Sequence, residues 1–165
     1  MSLAIRNQLK LAGMAFAAGL AFVAFGSGNV AFAQSGHFID RTVRCSDIGT
    51  QVNCTGKVAG LGGTTFTITV EAEGTAIVQC RNPGGNVAPG QDTDIDVAGT
   101  SGPLATPRNG QYVFTLSTDA PSVPNTPTCP NASWTAEVVD VVFGDATLTL
   151  FENGNISDTI TVPVE

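Results

Sequence analysis

The chain has 165 residues, 42% of them hydrophobic and only 13% charged, with a formal net charge of −7; this length suits one domain with a real core. Its seven basic residues are scattered among fourteen acids, which excludes the clustered Lys and Arg that nucleic-acid binding requires.

In chain order, Arg6 and Lys10 give a short basic start, followed by the apolar run LAGMAFAAGLAFVAF from Leu11 to Phe25. The polar break GSGN leads to Ala31-Phe32-Ala33, a small-x-small cleavage signature before Gln34. At about 15 residues the run is short for a bilayer span of about 20. Residues 1–33 are therefore predicted to be a signal peptide and residues 34–165 the secreted, extracellular domain. Cleavage removes two basic residues and no acid, leaving 5 − 14 = −9, a charge that favours solubility. With no Cys at position 34 and a polar C-terminal DTITVPVE, no membrane attachment is expected after cleavage.

From there the chain alternates apolar and polar residues with period two, the mark of half-buried strands. TTFTITVEA places Phe66, Ile68 and Val70 on one face and its threonines on the other; TAIVQC aligns Ala76, Val78 and Cys80. QYVFTLS aligns Tyr112, Phe114 and Leu116, DATLTLFE aligns Ala146, Leu148 and Leu150, and DTITVPV aligns Ile160, Val162 and Val164. In WTAEVVDVVF the parity begins with Trp134, Ala136 and Val138 and ends with Val139, Val141 and Phe143, so a β-bulge is expected at Val138-Val139. Asn153-Gly154 signals a type I′ hairpin. Residues 133–164 are expected to form a three-stranded meander turning at Gly144-Asp145 and Asn153-Gly154, with Trp134 in the core. The predicted fold is all-β: a single immunoglobulin-like antiparallel β-sandwich of eight or nine strands.

Two long loops interrupt the strands, residues 81–91 (RNPGGNVAPGQ) and residues 119–131 (DAPSVPNTPTCPN). Four cysteines in an exported chain argue for two disulfides. Three pairings are open. Cys45–Cys54 with Cys80–Cys129 is preferred because the second bridge would fasten the two long loops together. In the chain-entropy picture the two contribute about 2.7 and 4 kcal/mol.

The triplet Asp92-x-Asp94-x-Asp96 resembles the start of a calcium loop, but that loop needs Gly at its sixth position and Glu at its twelfth; here these are Val97 and Pro103. In the strand reading, Ile95 and Val97 point inward and Asp94 and Asp96 outward. A weak loop-built calcium site using Asp92 and Asp94, with Asn82 or Asn86 as binding residues, is the metal alternative; no other cofactor is expected. His37 is the only imidazole, no nucleophile motif accompanies it, and all four cysteines have partners, so no enzyme is predicted. Asp140, near the expected bulge, reads as a solvent-facing strand residue, and Phe151 is the one aromatic at outward parity.

VNCTGKVAGLG, VQCRNPGGNVAPGQ, TPRNGQYVFTL and CPNASWTAEVVDVVF, in that order, resemble a group of small exported bacterial disulfide-bonded β proteins with a CxNPGGNxxPGQ stretch. The resemblance implies a compact all-β domain and no particular function. The architecture is also similar to immunoglobulin-like apoproteins that carry small chromophores, but their disulfides close short loops and the Cys80–Cys129 span does not, so no ligand site carries over.

The leading expectation is a non-catalytic secreted structural or cell-surface-associated protein that self-assembles, its partner being itself or a surface component. A loose N-terminal segment, QSGHFIDRTV, would be donated to a neighbour's sheet edge. The alternative is an extracellular binding module for a small molecule, glycan or protein, using loops 81–91 and 119–131.

Overall fold

Alternation becomes β-structure throughout residues 36–165, the residues that the computed structural model describes; the expected signal peptide and its cleavage site lie outside them. Ten strands form: β1 (His37–Phe38), β2 (Arg44–Asp47), β3 (Val52–Ala59), β4 (Thr65–Arg81), β5 (Val87–Pro89), β6 (Thr93–Thr100), β7 (Leu104–Ala105), β8 (Tyr112–Ser117), β9 (Thr135–Glu152) and β10 (Asn155–Pro163). The excess over the expected number comes from the two-residue strands β1 and β7. In the first sheet β3 is central, with β8 along one side and β2 then β1 along the other. In the second, β4 is central, flanked on one side by β9 and β10 and on the other by β7, β6 and β5 in turn. All strand pairs are antiparallel, and the two sheets stack as a β-sandwich.

The core follows from the parity. Val52, Cys54 and Val58 of one sheet meet Phe66, Ile68, Val70, Leu148 and Leu150 of the other, all buried, with Phe38, Val43 and Phe114 closing the layer. Tyr112, Leu116, Ile160, Val162 and Val164 pack against it from predicted inward positions. Ala76, Val78 and Val141 form a second, smaller cluster. Trp134 is a correction: it stays half-buried just before β9 and joins neither cluster, because the chain is still closing the Asn131–Trp134 turn there.

β4 and β9 are the distinctive elements, at 17 and 18 residues. TTFTITVEA and TAIVQC are one strand. Gly144-Asp145 is not a turn: β9 runs straight through it, and the two residues oppose Glu73 alone, a bulge that bends the ribbon. A Gly-Asp pair signals either device, and continuous pairing with β4 on both sides selects the bulge. The bulge at Val138-Val139 is found where the parity slips, Ile77 pairing with Asp140 and Val78 with Val138. Asn153-Gly154 turns with positive φ at both residues, 48° and 82°, as a type I′ hairpin requires.

The N-terminal segment is not loose over residues 36–43. Phe38 is 2% exposed and its amide donates to Asp158 of β10, while Val43 is also core. Burial of two large apolar side chains holds this segment on its own sheet, so donating it to a neighbour would empty the core. The other end closes the same flank: Val164 bridges Cys45 in parallel and Glu165 exchanges backbone hydrogen bonds with Cys45 and Asp47.

On the opposite flank the chain leaves β8 against β6. The Asp119 amide donates to Ala98, and a methyl on Gly99 would collide with the carbonyl of Ser117. Because that obstacle is backbone, Gly99→Ala should cost about 2 kcal/mol, read as a lower urea midpoint at unchanged m-value; an unchanged midpoint would show that this crossing can open.

Candidate functional site

Both disulfides pair as preferred. Cys45–Cys54 is a cross-strand bridge between β2 and β3, and Cys80–Cys129 ties the end of β4 to the second long loop. Neither joins the two sheets, unlike the inter-sheet bridge of antibody domains. The second bridge does bring the long loops together: the Gln91 amide donates to the Thr128 carbonyl at 2.9 Å. Loop 119–131 then runs over the smaller cluster, Val123 packing on it, and contains one helical turn, α1 (Asn125–Thr128). Asn125 accepts the Ala136 amide on β9, so part of the exposed backbone of that strand is spoken for.

The proposed binding residues Asn82 and Asn86 serve the loop itself. The Asn82 carboxamide oxygen accepts the Asn86 amide at 2.9 Å, and their backbones bond as well. Asp94 and Asp96 face water, Val97 faces the core, and Asp94 accepts the Thr75 hydroxyl. Val87 sits opposite Arg81 and Asp94 opposite Thr75, so the Asn and Asp ends of the candidate site lie about 20 Å apart along β4 at about 3.3 Å per residue. The fold thus separates Asp92 and Asp94 from Asn82 and Asn86. Among the described residues no three His, Cys, Asp or Glu side chains converge as a metal centre would need.

What the fold does assemble is a sheet face. Outward positions of β4 carry Glu71 and Glu73; directly opposite on β6 stand Ala98 and Asp96, then Asp94 beside Thr75. On the other side β9 contributes Glu137, Asp140 and Asp145. The one base on this face, Arg81, is engaged by Glu137 through two contacts of 3.1 and 3.3 Å, which raise its pKa. Between the acids lie two exposed aliphatic residues, Ile77 at 38% and Val142 at 63%. The bulge at Glu73 opens a groove of about 720 Å³ in this face, lined by Glu71, Glu73, Asp96, Asp145 and Thr147. Phe151 lies half-buried further along the face and offers no flat exposed ring.

One carboxylate is buried. Glu152, the last residue of β9, is 0% exposed. One oxygen accepts the amides of Gly62 and Gly63 at 2.8 and 3.1 Å; the other accepts the amide of Gly36 at 3.0 Å and the hydroxyl of Ser157 at 2.8 Å. Burial alone would raise its pKa, but the Gly62 amide, the Ser157 hydroxyl and the Gly63 and Gly36 amides together hold it below the ordinary value. Close approach requires glycine, since a methyl on Gly36 would strike the carboxylate. These four donors come from three chain segments, which the carboxylate clasps together. The signal for it was present: Glu152 continues the inward parity of Leu148 and Leu150 immediately before the hairpin.

No family model matches the chain, and no curated protein matches it. Solved structures similar to part of it include a β-glucuronidase of Bacteroides uniformis (12% identity over 77% of this chain and 14% of that one, TM-score 0.34). Others are a glycosyl hydrolase family 2 member of Bacteroides cellulosilyticus (10% identity, 78% and 15% covered, TM-score 0.32) and a putative β-galactosidase of Bacteroides fragilis (12% identity, 79% and 16% covered, TM-score 0.26). The chain therefore spans about a seventh of the enzymes' length, and no residue role is transferred from them.

Proposed function

We propose that this protein is a non-catalytic β-sandwich module exported to an oxidising compartment, where it acts by contact as a structural or cell-surface-associated component. The observation that carries the reading is the β4–β9 ribbon. Its outer half extends beyond the main core, yet is stiffened by its own apolar cluster and by Cys80–Cys129. A stiff, disulfide-pinned sheet face bearing exposed Ile77 and Val142 is suited to contact with a partner surface. Two disulfides fit an exported protein, and no helix among the described residues is long and apolar enough to cross a membrane. The resemblance to small exported bacterial β proteins points the same way. The loops remain available to the alternative reading, since Cys80–Cys129 fixes both on one scaffold.

Fractionation of the producing cells tests the reading. The protein is expected in the surface fraction with both disulfides oxidised; a reduced cytoplasmic pool, or turnover of a chromogenic glycoside by the purified protein, would contradict it.

A further inference from the structure

The two outer faces of the sandwich carry opposite charge. The face of the β4 sheet presents seven carboxylates, on Glu71, Glu73, Asp94, Asp96, Glu137, Asp140 and Asp145, against the single Arg81. The face of the β3 sheet is the reverse. Its alternation buries Val52, Cys54 and Val58, which turns Lys57 outward, with Arg44 opposite Thr55 on the same face. Arg41 lies in the adjoining turn. No strand position on that outer face holds an acid: Asp47 ends β2 opposite buried Val52 and Asp40 is in the turn. Among the described residues the only ion pair is Arg81–Glu137, so Lys57, Arg44 and Arg41 make no direct ion pair, and the carboxylates nearest Arg44 and Arg41 are those of Asp40 in the turn and Glu165 at the sheet's flank. The apolar groups match as well: Val113, 72% exposed, stands directly opposite Lys57 on this face, as Ile77 and Val142 stand among the acids on the other.

We propose that copies of this protein associate head to tail, the acidic Ile77/Val142 face of one seating on the Lys57/Arg44/Val113 face of the next. The occupant is a second copy because one molecule carries both complementary surfaces and few other bases. Since the two surfaces differ, the contact is heterologous and leaves a free face at each end, so it propagates. The inference rests on the contact-module reading and names its partner. Exposed charges govern the contact, so it weakens as the screening length falls from about 30 Å at 0.01 M salt to about 3 Å at 1 M.

The test is light scattering on the oxidised exported protein over a concentration series at both salt levels. The mass should climb to at least twice that of the monomer at low salt and return to the monomer at high salt. R44E/K57E and D96K/D140K should each be monomeric at low salt, with melting temperatures and circular dichroism unchanged; D96N/D140N replaces the second pair if the reversal perturbs folding. Mixed in equal amounts, the two variants each retain one intact face, so they should form a one-to-one dimer that cannot grow. A monomer at the highest concentration in low salt overturns the proposal. So does association indifferent to salt and to both variants, a mixture that stays monomeric, or assembly that appears only with added oligolysine or calcium. A protein found in the surface fraction but monomeric in solution would remove this inference alone and leave the contact-module reading standing.

Discussion

Glu152→Gln should lower stability at neutral pH by about 3 kcal/mol, a fall of about 10 °C in melting temperature for a domain of this size. Gln has the same shape, but its amide nitrogen must face either the Gly62 and Gly63 amides or the Gly36 amide and Ser157 hydroxyl. In the first orientation two buried amides would point at another donor; in the second the Gly36 amide would, while the Ser157 hydroxyl turns its proton to the Gly36 carbonyl. Acid should act on the wild type in the same sense. The folded-state pKa of Glu152 is lowered, so its contribution is complete above the ordinary glutamate value of about 4.3. It fades as pH falls from there through the folded-state value. The Gln variant has no such proton to gain, so the gap between the two proteins should narrow below about pH 4. A gap constant with pH would mean that the ionised carboxylate is not what the surrounding donors stabilise.

Removing the Cys80–Cys129 bridge as C80A/C129A should cost about 4 kcal/mol, since it closes a loop of sequence separation 49 and so limits the unfolded chain strongly. The Cys45–Cys54 bridge, with separation 9, should contribute about 2.7 kcal/mol by the same reasoning. The two losses should also differ in kind. Without Cys80–Cys129, loop 119–131 is held by little more than Val123 and three hydrogen bonds to the neighbouring segments. Amide exchange should therefore accelerate in residues 76–81 and 135–143 while the main core stays protected. Uniform acceleration would show that the ribbon and the main core unfold as one unit.

The features read correctly from sequence are those whose cause is local. The parity slip at Val138-Val139 is itself the bulge, and Asn153-Gly154 needs no distant partner to turn. Inward positions from Phe66 to Val164 follow from alternation alone. The Gly144-Asp145 misreading has a local cause too: a Gly-Asp pair breaks a ladder either as a turn or as a bulge, and only the partner strand decides. The clasp around Glu152 was illegible for the opposite reason, its inward parity aside. Its donors at Gly36, Gly62 and Gly63 lie 116, 90 and 89 residues away, and no spacing rule connects them. The anchoring of Phe38 is hidden in the same way, its amide reaching Asp158 across 120 residues. The acidic face sits between these cases. Each carboxylate lies at a legible outward position, but β4, β6 and β9 had to be placed side by side before they became one surface. The spacing between the residues of the candidate calcium site was equally hidden, since only strand pairing sets Asp94 opposite Thr75 in mid-strand and Asn86 beyond Arg81 at the end of β4.

Contact through the outer face of the ribbon, as proposed, is open to direct measurement. The direct measurement is the fraction of protein retained on producing cells, wild type beside I77T/V142T, two exposed substitutions that suit a strand surface. The variant should fold with an unchanged melting temperature and be released into the medium, while the wild type stays with the cells. Equal retention of both proteins would contradict the account, and so would a wild type that is already free in the medium.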